Sequence, residues 1–87
     1  MSSEAERAVR AVLVDILALD ADLVASFDDQ TELFGALPEL DSMAVAGLLT
    51  ELEDRMDIEI DDDEVDGELF ETFGNLVRFA ERKASGS

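Results

Sequence analysis

Leu40-Asp41-Ser42-Met43-Ala44-Val45-Ala46-Gly47-Leu48-Leu49-Thr50-Glu51-Leu52-Glu53-Asp54-Arg55-Met56 is the stretch that decides how this chain folds. Val45, Leu48, Leu49, Leu52 and Met56 recur at helical spacing, while Glu51, Asp54 and Arg55 turn away. The pattern predicts an amphipathic helix from about Ser42 to about Met56, with Asp41 or Ser42 as its N-cap. Gly47 sits mid-helix, where glycine costs about 1 kcal/mol relative to alanine, so its small size points to a close approach by a neighbour. Read alone, Ser42 has the ordinary job of a serine at a helix start, capping. The chain contains no His, Cys, Trp or Tyr, so nothing near Ser42 can deprotonate its hydroxyl for chemistry of its own. Another protein can still modify it.

C-terminal to this helix, Asp57-Ile58-Glu59-Ile60-Asp61 alternates as a strand does. A lone strand has nothing to pair with, so the segment is expected to be an extended connector anchored by Ile58 and Ile60. A short helix is expected within 62–68, around Val65 and ending near Gly67. Thr72 is placed to cap a last helix bearing Phe73, Leu76, Val77 and Ala80, running to about Lys83. Residues 84–87 read as a frayed tail. N-terminal to the central helix lies a connection from 20 to 41 holding Phe27, Leu33, Phe34, Gly35, Leu37 and Pro38. A loop this long in a compact domain is functional or packed by its own side chains, and its apolar residues are expected to pin it to the core. Before it, Ser3 and Glu6 form a capping box, and Val9, Val12, Leu13, Ile16 and Leu17 mark a helix from Glu4 to about Leu19. The expected fold is all-α. It is a small bundle of three longer helices and one short one with a long first loop, a single domain over 1–87 with its core at about 4–83.

The 87 residues carry a formal charge of −17 and are 47% hydrophobic, too apolar for a disordered chain despite the charge. Five of the basic residues, Arg7, Arg10, Arg78, Arg82 and Lys83, lie near the ends. From Asp20 to Glu71 there are nineteen acids against Arg55 alone. Nucleic acid is disfavoured as a partner because affinity for phosphate backbones comes from Lys and Arg. Anionic membrane surfaces are disfavoured for the same reason, and no apolar run reaches the roughly 20 residues that span a bilayer. Partners with basic patches, approached by electrostatic steering, fit the charge. The absence of cysteine and of a signal-like N-terminus suits a soluble, cytoplasmic protein.

Asp62, Glu64, Asp66 and Gly67 match the first, third, fifth and sixth positions of a calcium-binding EF-hand loop, with Leu69 at the eighth. The twelfth must supply a bidentate glutamate and is Phe73, so no specific metal site is expected. Catalytic carboxylate pairs need an apolar pocket that separates their pKa values. A bundle this small offers little of one, and no enzymatic activity is expected.

Asp41-Ser42-Met43, following a long apolar-studded loop and opening an amphipathic helix in a strongly acidic chain, resembles the acyl carrier protein family, whose signature is Asp-Ser-Leu at the start of the second helix. The resemblance covers nearly the whole chain. Leu48, Leu49, Leu52, Glu53, Asp54 and Met56 match that helix's apolar face and terminal acids. Ile58-Glu59-Ile60-Asp61-Asp62 matches the connector, and Phe70-Glu71-Thr72-Phe73-Gly74-Asn75-Leu76-Val77-Arg78-Phe79 resembles the start of the fourth helix.

The resemblance implies a non-catalytic carrier of acyl intermediates for fatty-acid, polyketide or related lipid and secondary-metabolite biosynthesis. By it, Ser42 would receive 4′-phosphopantetheine from coenzyme A through a separate phosphopantetheinyl transferase, and the arm's thiol would hold acyl groups as thioesters. Asp41 and Met43 would position the transferase. Glu51, Glu53 and Asp54 would dock acyl-loading, synthase or transferase enzymes that present basic patches. Ala46, Leu49 and Leu52 would shelter the acyl chain, and the protein would act as a monomer. Met43 stands where the family has leucine, a volume-conserving change. Fatty-acid carriers of the family usually place acids early in the second helix; here Ala44, Val45, Ala46 and Gly47 stand instead, which implies a specialised carrier with dedicated enzymes. The other reading of the composition is an acidic adaptor, responsive to calcium or purely interacting, with no prosthetic group.

Overall fold

The computed structural model describes residues 4–84. Helix α1 spans Glu4–Leu17, α2 Ala21–Ala25, α3 Ser42–Met56 and α4 Phe73–Ala84, with a 3-10 helix at Asp62–Glu64 between the last two. The bundle is all-α, as expected. Ser3 and residues 85–87 lie outside the described residues, so the capping box and most of the tail do too; Ala84, assigned to the tail, closes α4.

α1 is the spine, packing against α2, α3 and α4. Its buried stripe is Ala5, Val9, Val12, Leu13 and Leu17. Ile16, assigned to that stripe, is 37% exposed. Leu48 and Leu52 of α3 are fully enclosed, while Val45, Leu49 and Met56 are half-buried against the core. α4 buries Phe73, Leu76, Val77, Phe79 and Ala80. The stripe on α1 is what drives assembly: each fully buried aliphatic contributes roughly 1.5–3 kcal/mol.

α1 ends two residues earlier than its apolar pattern suggests, because Ala18 takes a left-handed conformation (φ 55°) that turns the chain. Leu19 is buried all the same. The long connection is not helix-free. Asp20 accepts the Asp22 N–H at 2.9 Å and caps the five residues of α2, too short a helix for a 3.6-residue period to register. Arg10 holds this region in place. Its guanidinium donates to the Val24 carbonyl and, at 3.0 Å, to the Phe27 carbonyl, and lies 4.6 Å from the centre of the Phe73 ring. Phe27 meets Phe73 edge-on at 5.9 Å.

The rest of the loop is fastened by backbone. Thr31 accepts the Phe73 N–H at 2.8 Å, and the Leu33 and Phe34 N–H groups donate to Glu71 and Phe70 at 3.1 and 2.9 Å. Glu32 and Thr72 form an isolated antiparallel bridge. Phe27 and Leu33 are buried as expected, Leu40 is buried as well, but Phe34 remains 56% exposed.

Gly47 faces α1, yet a methyl group there would meet only Ile16 Cγ2, at 3.7 Å. That is ordinary contact, so the close approach expected from the sequence does not demand glycine. Gly47→Ala is expected to raise stability by about 0.5–1 kcal/mol through helix propensity, read as a higher urea midpoint with an unchanged slope.

α3 ends where Asp57 turns left-handed (φ 55°). The Glu53 carboxylate then accepts the Ile60 N–H at 2.6 Å, fixing the connector, with Ile58 and Ile60 half-buried. The expected short helix in 62–68 narrows to the 3-10 turn. Glu64 accepts the Asp61 N–H at 2.9 Å and pairs with Lys83 of α4 at 3.0 Å. The Asp61 hydrogen bond first, and the Lys83 ammonium second, hold its carboxyl below the ordinary value of 4.5. A carboxyl depressed in the folded state stabilises fully above its unfolded pKa, and that contribution is lost as pH falls through the lower folded value. Glu64→Gln is therefore expected to be less stable than the parent at neutral pH, with the gap in urea midpoint closing as pH is lowered below 4.5. A gap that stays constant across that range would contradict it.

Candidate functional site

Thr72 caps α4 as expected, its hydroxyl accepting the Asn75 N–H at 3.1 Å. The start of α3 is built differently from a serine-capped helix. Asp41 is the N-cap: its carboxylate accepts the Ala44 N–H at 2.8 Å and its carbonyl accepts the Val45 N–H at 2.9 Å. Of the two candidate caps, the carboxylate takes the role because Asp41 keeps the extended backbone (φ −114°, ψ −176°) that aims its side chain back into the first turn. Ser42 is then the first helical residue, exposed, with a hydroxyl not needed for capping. The N–H groups of Ser42 and Met43 have no intrahelical acceptor, as at every helix start, and with the helix dipole they favour an anion nearby.

Beside Ser42 lies a groove of about 250 Å³ lined by Phe34, Ser42, Val45, Val65, Asp66, Gly67 and Phe70. It lies between the start of α3, the Phe34 loop and the 65–70 turn. The Phe34–Phe70 backbone hydrogen bond brings two aromatics to one wall. Val65, the centre of the expected short helix, is half-buried here, and Gly67 leaves the rim open. The groove does not include the three residues assigned to an acyl pocket. Leu52 is enclosed in the core, Leu49 is half-buried and Ala46 is exposed. Of α3, Ser42 and Val45 line the groove; Val45 stands about 60° to one side of Ser42 around the helix and Ala46 about 40° to the other, away from the groove. In the sequence Phe34 was visible only as an apolar loop residue, Val65 as the centre of a short helix and Phe70 as the first residue of the stretch that resembles the start of the fourth helix. Their convergence depends on pairing between 31–34 and 70–73, which no local pattern announces.

Met43 projects outward, 85% exposed. Of the acids assigned to docking, Asp54 is exposed. Glu51 pairs with Arg55 at 3.0 Å, and Glu53 is half-buried on the Ile60 N–H. Arg55 also reaches Asp15 of α1. In the 62–68 segment Glu64 and Asp66 serve the backbone and Lys83 instead of converging, Asp66 accepting the Leu69 N–H at 3.0 Å. Among the described residues no group of three or more acids is placed to hold a metal ion, and no helix is long and apolar enough to cross a membrane.

An exposed, uncommitted hydroxyl at a helix N-terminus, beside an apolar groove, fits a phosphodiester-linked arm. The helix start suits the anion, and the groove suits an apolar cargo at the arm's end. Comparison with known proteins bears on the same point. The family model for the phosphopantetheine attachment site matches residues 7–80. The solution structure of a holo acyl carrier protein from Nitrosomonas europaea is 41% identical, aligns over 95% of this chain and 99% of that one, and superposes with a TM-score of 0.85. A comparison with the curated proteins returned no match. The family match removes the adaptor without a prosthetic group from consideration. The chain belongs to the acyl carrier protein family, as a non-catalytic carrier with covalently attached phosphopantetheine.

Proposed function

We propose that Ser42 is the attachment residue and that the chain, a monomer, carries acyl intermediates for dedicated enzymes of fatty-acid, polyketide or related lipid or secondary-metabolite biosynthesis. One observation carries the site: Asp41 does the capping, so the Ser42 hydroxyl is exposed and uncommitted at the first position of α3. When bound, the arm supplies the thiol on which acyl groups are held as thioesters. Apart from the Ser42 oxygen that becomes the phosphodiester's ester oxygen, the residues of this chain present and shelter and catalyse no step. Asp41 rigidifies the first turn, so that a transferase meets the hydroxyl in a defined orientation. The orphan N–H groups of Ser42 and Met43 offset the charge of the phosphodiester. Phe34, Val45, Val65 and Phe70 offer an apolar wall that limits water near the cargo.

A specialised rather than housekeeping role is supported by the surface around Ser42. From Met43 to Thr50 α3 bears no charge, and Met43 and Phe34 are the most exposed large apolar side chains among the described residues. Two of the three proposed docking acids, Glu51 and Glu53, are already engaged within the chain, leaving Asp54 as the freest. An enzyme docking here meets an apolar centre within an anionic surround. It therefore needs a matching apolar patch with basic groups at its rim.

Intact-protein mass after incubation with coenzyme A and a broad-specificity phosphopantetheinyl transferase tests the site. A gain of one phosphopantetheine mapped by fragmentation to Ser42 is expected, and a gain at any other residue overturns the assignment. The specialised reading fails if the enzymes of a housekeeping fatty-acid synthase elongate chains on this carrier as efficiently as on their own.

A further inference from the structure

We propose that Met43 is an oxidation site, and that its conversion to the sulfoxide withdraws the carrier from enzymes that must reach Ser42. The second half rests on Ser42 being the attachment residue. Two features single out Met43. Its side chain is 85% exposed, the most accessible large apolar group among the described residues, whereas Met56 is half-buried against the core. Oxidation of a thioether follows its exposure. Met43 also directly follows Ser42 in the first turn of α3 and opens the uncharged run Ala44-Val45-Ala46-Gly47. An enzyme surface closing on the Ser42 hydroxyl covers Met43 as well.

The oxidant is hydrogen peroxide. The thioether sulfur attacks one peroxide oxygen, an S–O bond forms and the O–O bond breaks. After proton transfer, water leaves. Sulfur is oxidised by two electrons and the peroxide is reduced. The product replaces a flexible apolar tip with a strong dipole. Against an apolar partner surface that dipole is buried without a hydrogen-bond partner, a penalty that corresponds to about tenfold in rate or affinity. Because Met43 stands clear of the core, the helix content of the oxidised carrier stays unchanged.

The test treats the full chain with hydrogen peroxide, maps sulfoxide by peptide mass, and measures phosphopantetheine loading by the transferase. Wild type and Met43→Leu are each compared with their own untreated sample. The expected result is sulfoxide at Met43 before Met56 and a loading rate about tenfold lower in treated wild type. Loading returns after methionine sulfoxide reductase, and Met43→Leu keeps its untreated rate. Oxidation of Met56 first overturns the site. Treated wild type that loads at its untreated rate, or Met43→Leu that loses rate equally, overturns the consequence. Untreated wild type that is not loaded at all overturns the Ser42 assignment and the consequence together, while the sulfoxide map still decides the oxidation site on its own.

Discussion

Ser42→Ala is expected to abolish phosphopantetheine attachment while leaving the thermal midpoint within about 2–4 °C of the parent, since surface changes away from structural features shift stability by about 0.5 kcal/mol or less. A serine that caps a helix contributes about 1 kcal/mol, and its loss from a domain of this size would lower Tm by about 4–8 °C. Here the cap is Asp41, through the 2.8 Å bond from the Ala44 N–H, and Ser42 already has helical geometry, in which alanine is preferred. Loss of modification and loss of stability should therefore separate cleanly. Intact mass after incubation with transferase and coenzyme A reads the first, and a calorimetric or circular dichroism melt reads the second. A large fall in Tm would mean that the hydroxyl has structural work the capping geometry does not show. Continued modification would move the attachment site elsewhere.

Gly74→Ala is expected to be the most damaging single-methyl change for the fold. A Cβ at Gly74 would lie 2.8 Å from the Asp29 carbonyl oxygen and 2.9 Å from its Cα. Those are backbone atoms, so no side-chain rotation relieves the clash; the 28–31 turn has to move. That turn is tied to the start of α4 by the Gly74 N–H to Asp29 and the Phe73 N–H to Thr31, at 3.3 and 2.8 Å. Displacing it adds lost hydrogen bonds to the overpacking, for a total of about 3 kcal/mol. At about 4–8 °C per kcal/mol, Tm falls by about 12–24 °C. Asp41 caps α3 without help from this turn, so below its lowered Tm the variant should still be loaded at Ser42. A variant as stable as the parent would show that the turn yields freely. Failure to load while folded would show that the loop, as well as α3, presents the serine.

The contrast between Gly47 and Gly74 shows how far sequence reading reaches. Both are glycines on helices. Gly47 drew attention as an interruption of an amphipathic pattern, and the structure leaves room for a methyl beside Ile16. Gly74 raised no signal, because its constraint comes from a backbone segment far away in the chain. Ile16 makes the same point: its helical spacing matched the buried stripe, but beside Gly47 it stays 37% exposed. In the same way, Ala46, Leu49 and Leu52, which the resemblance assigns to sheltering the acyl chain, do not line the groove beside Ser42. Only Val45 shares the groove with Ser42, and the opposite wall comes from Phe34, Val65 and Phe70.

By itself the sequence determined the all-α class, the three longer helices, and the presentation of Ser42 at the start of the central one. These features are local. Apolar spacing at 3.6 residues, a capping carboxylate and a threonine before the last helix each act within a turn or two of chain. Composition likewise excluded a self-sufficient nucleophile, since no histidine or cysteine is present. Tertiary structure alone decided the shape beside that serine. The 31–34 segment pairs with 70–73, Arg10 links α1 to the α2 region and the Phe73 ring, and Phe34 and Phe70 meet across the fold. The cost of closing a loop rises only slowly with its length, so many distant pairings compete on similar terms. The pairing that the fold adopts is one that buries Phe27, Leu33 and Phe73 together in one core, an arrangement no local pattern specifies.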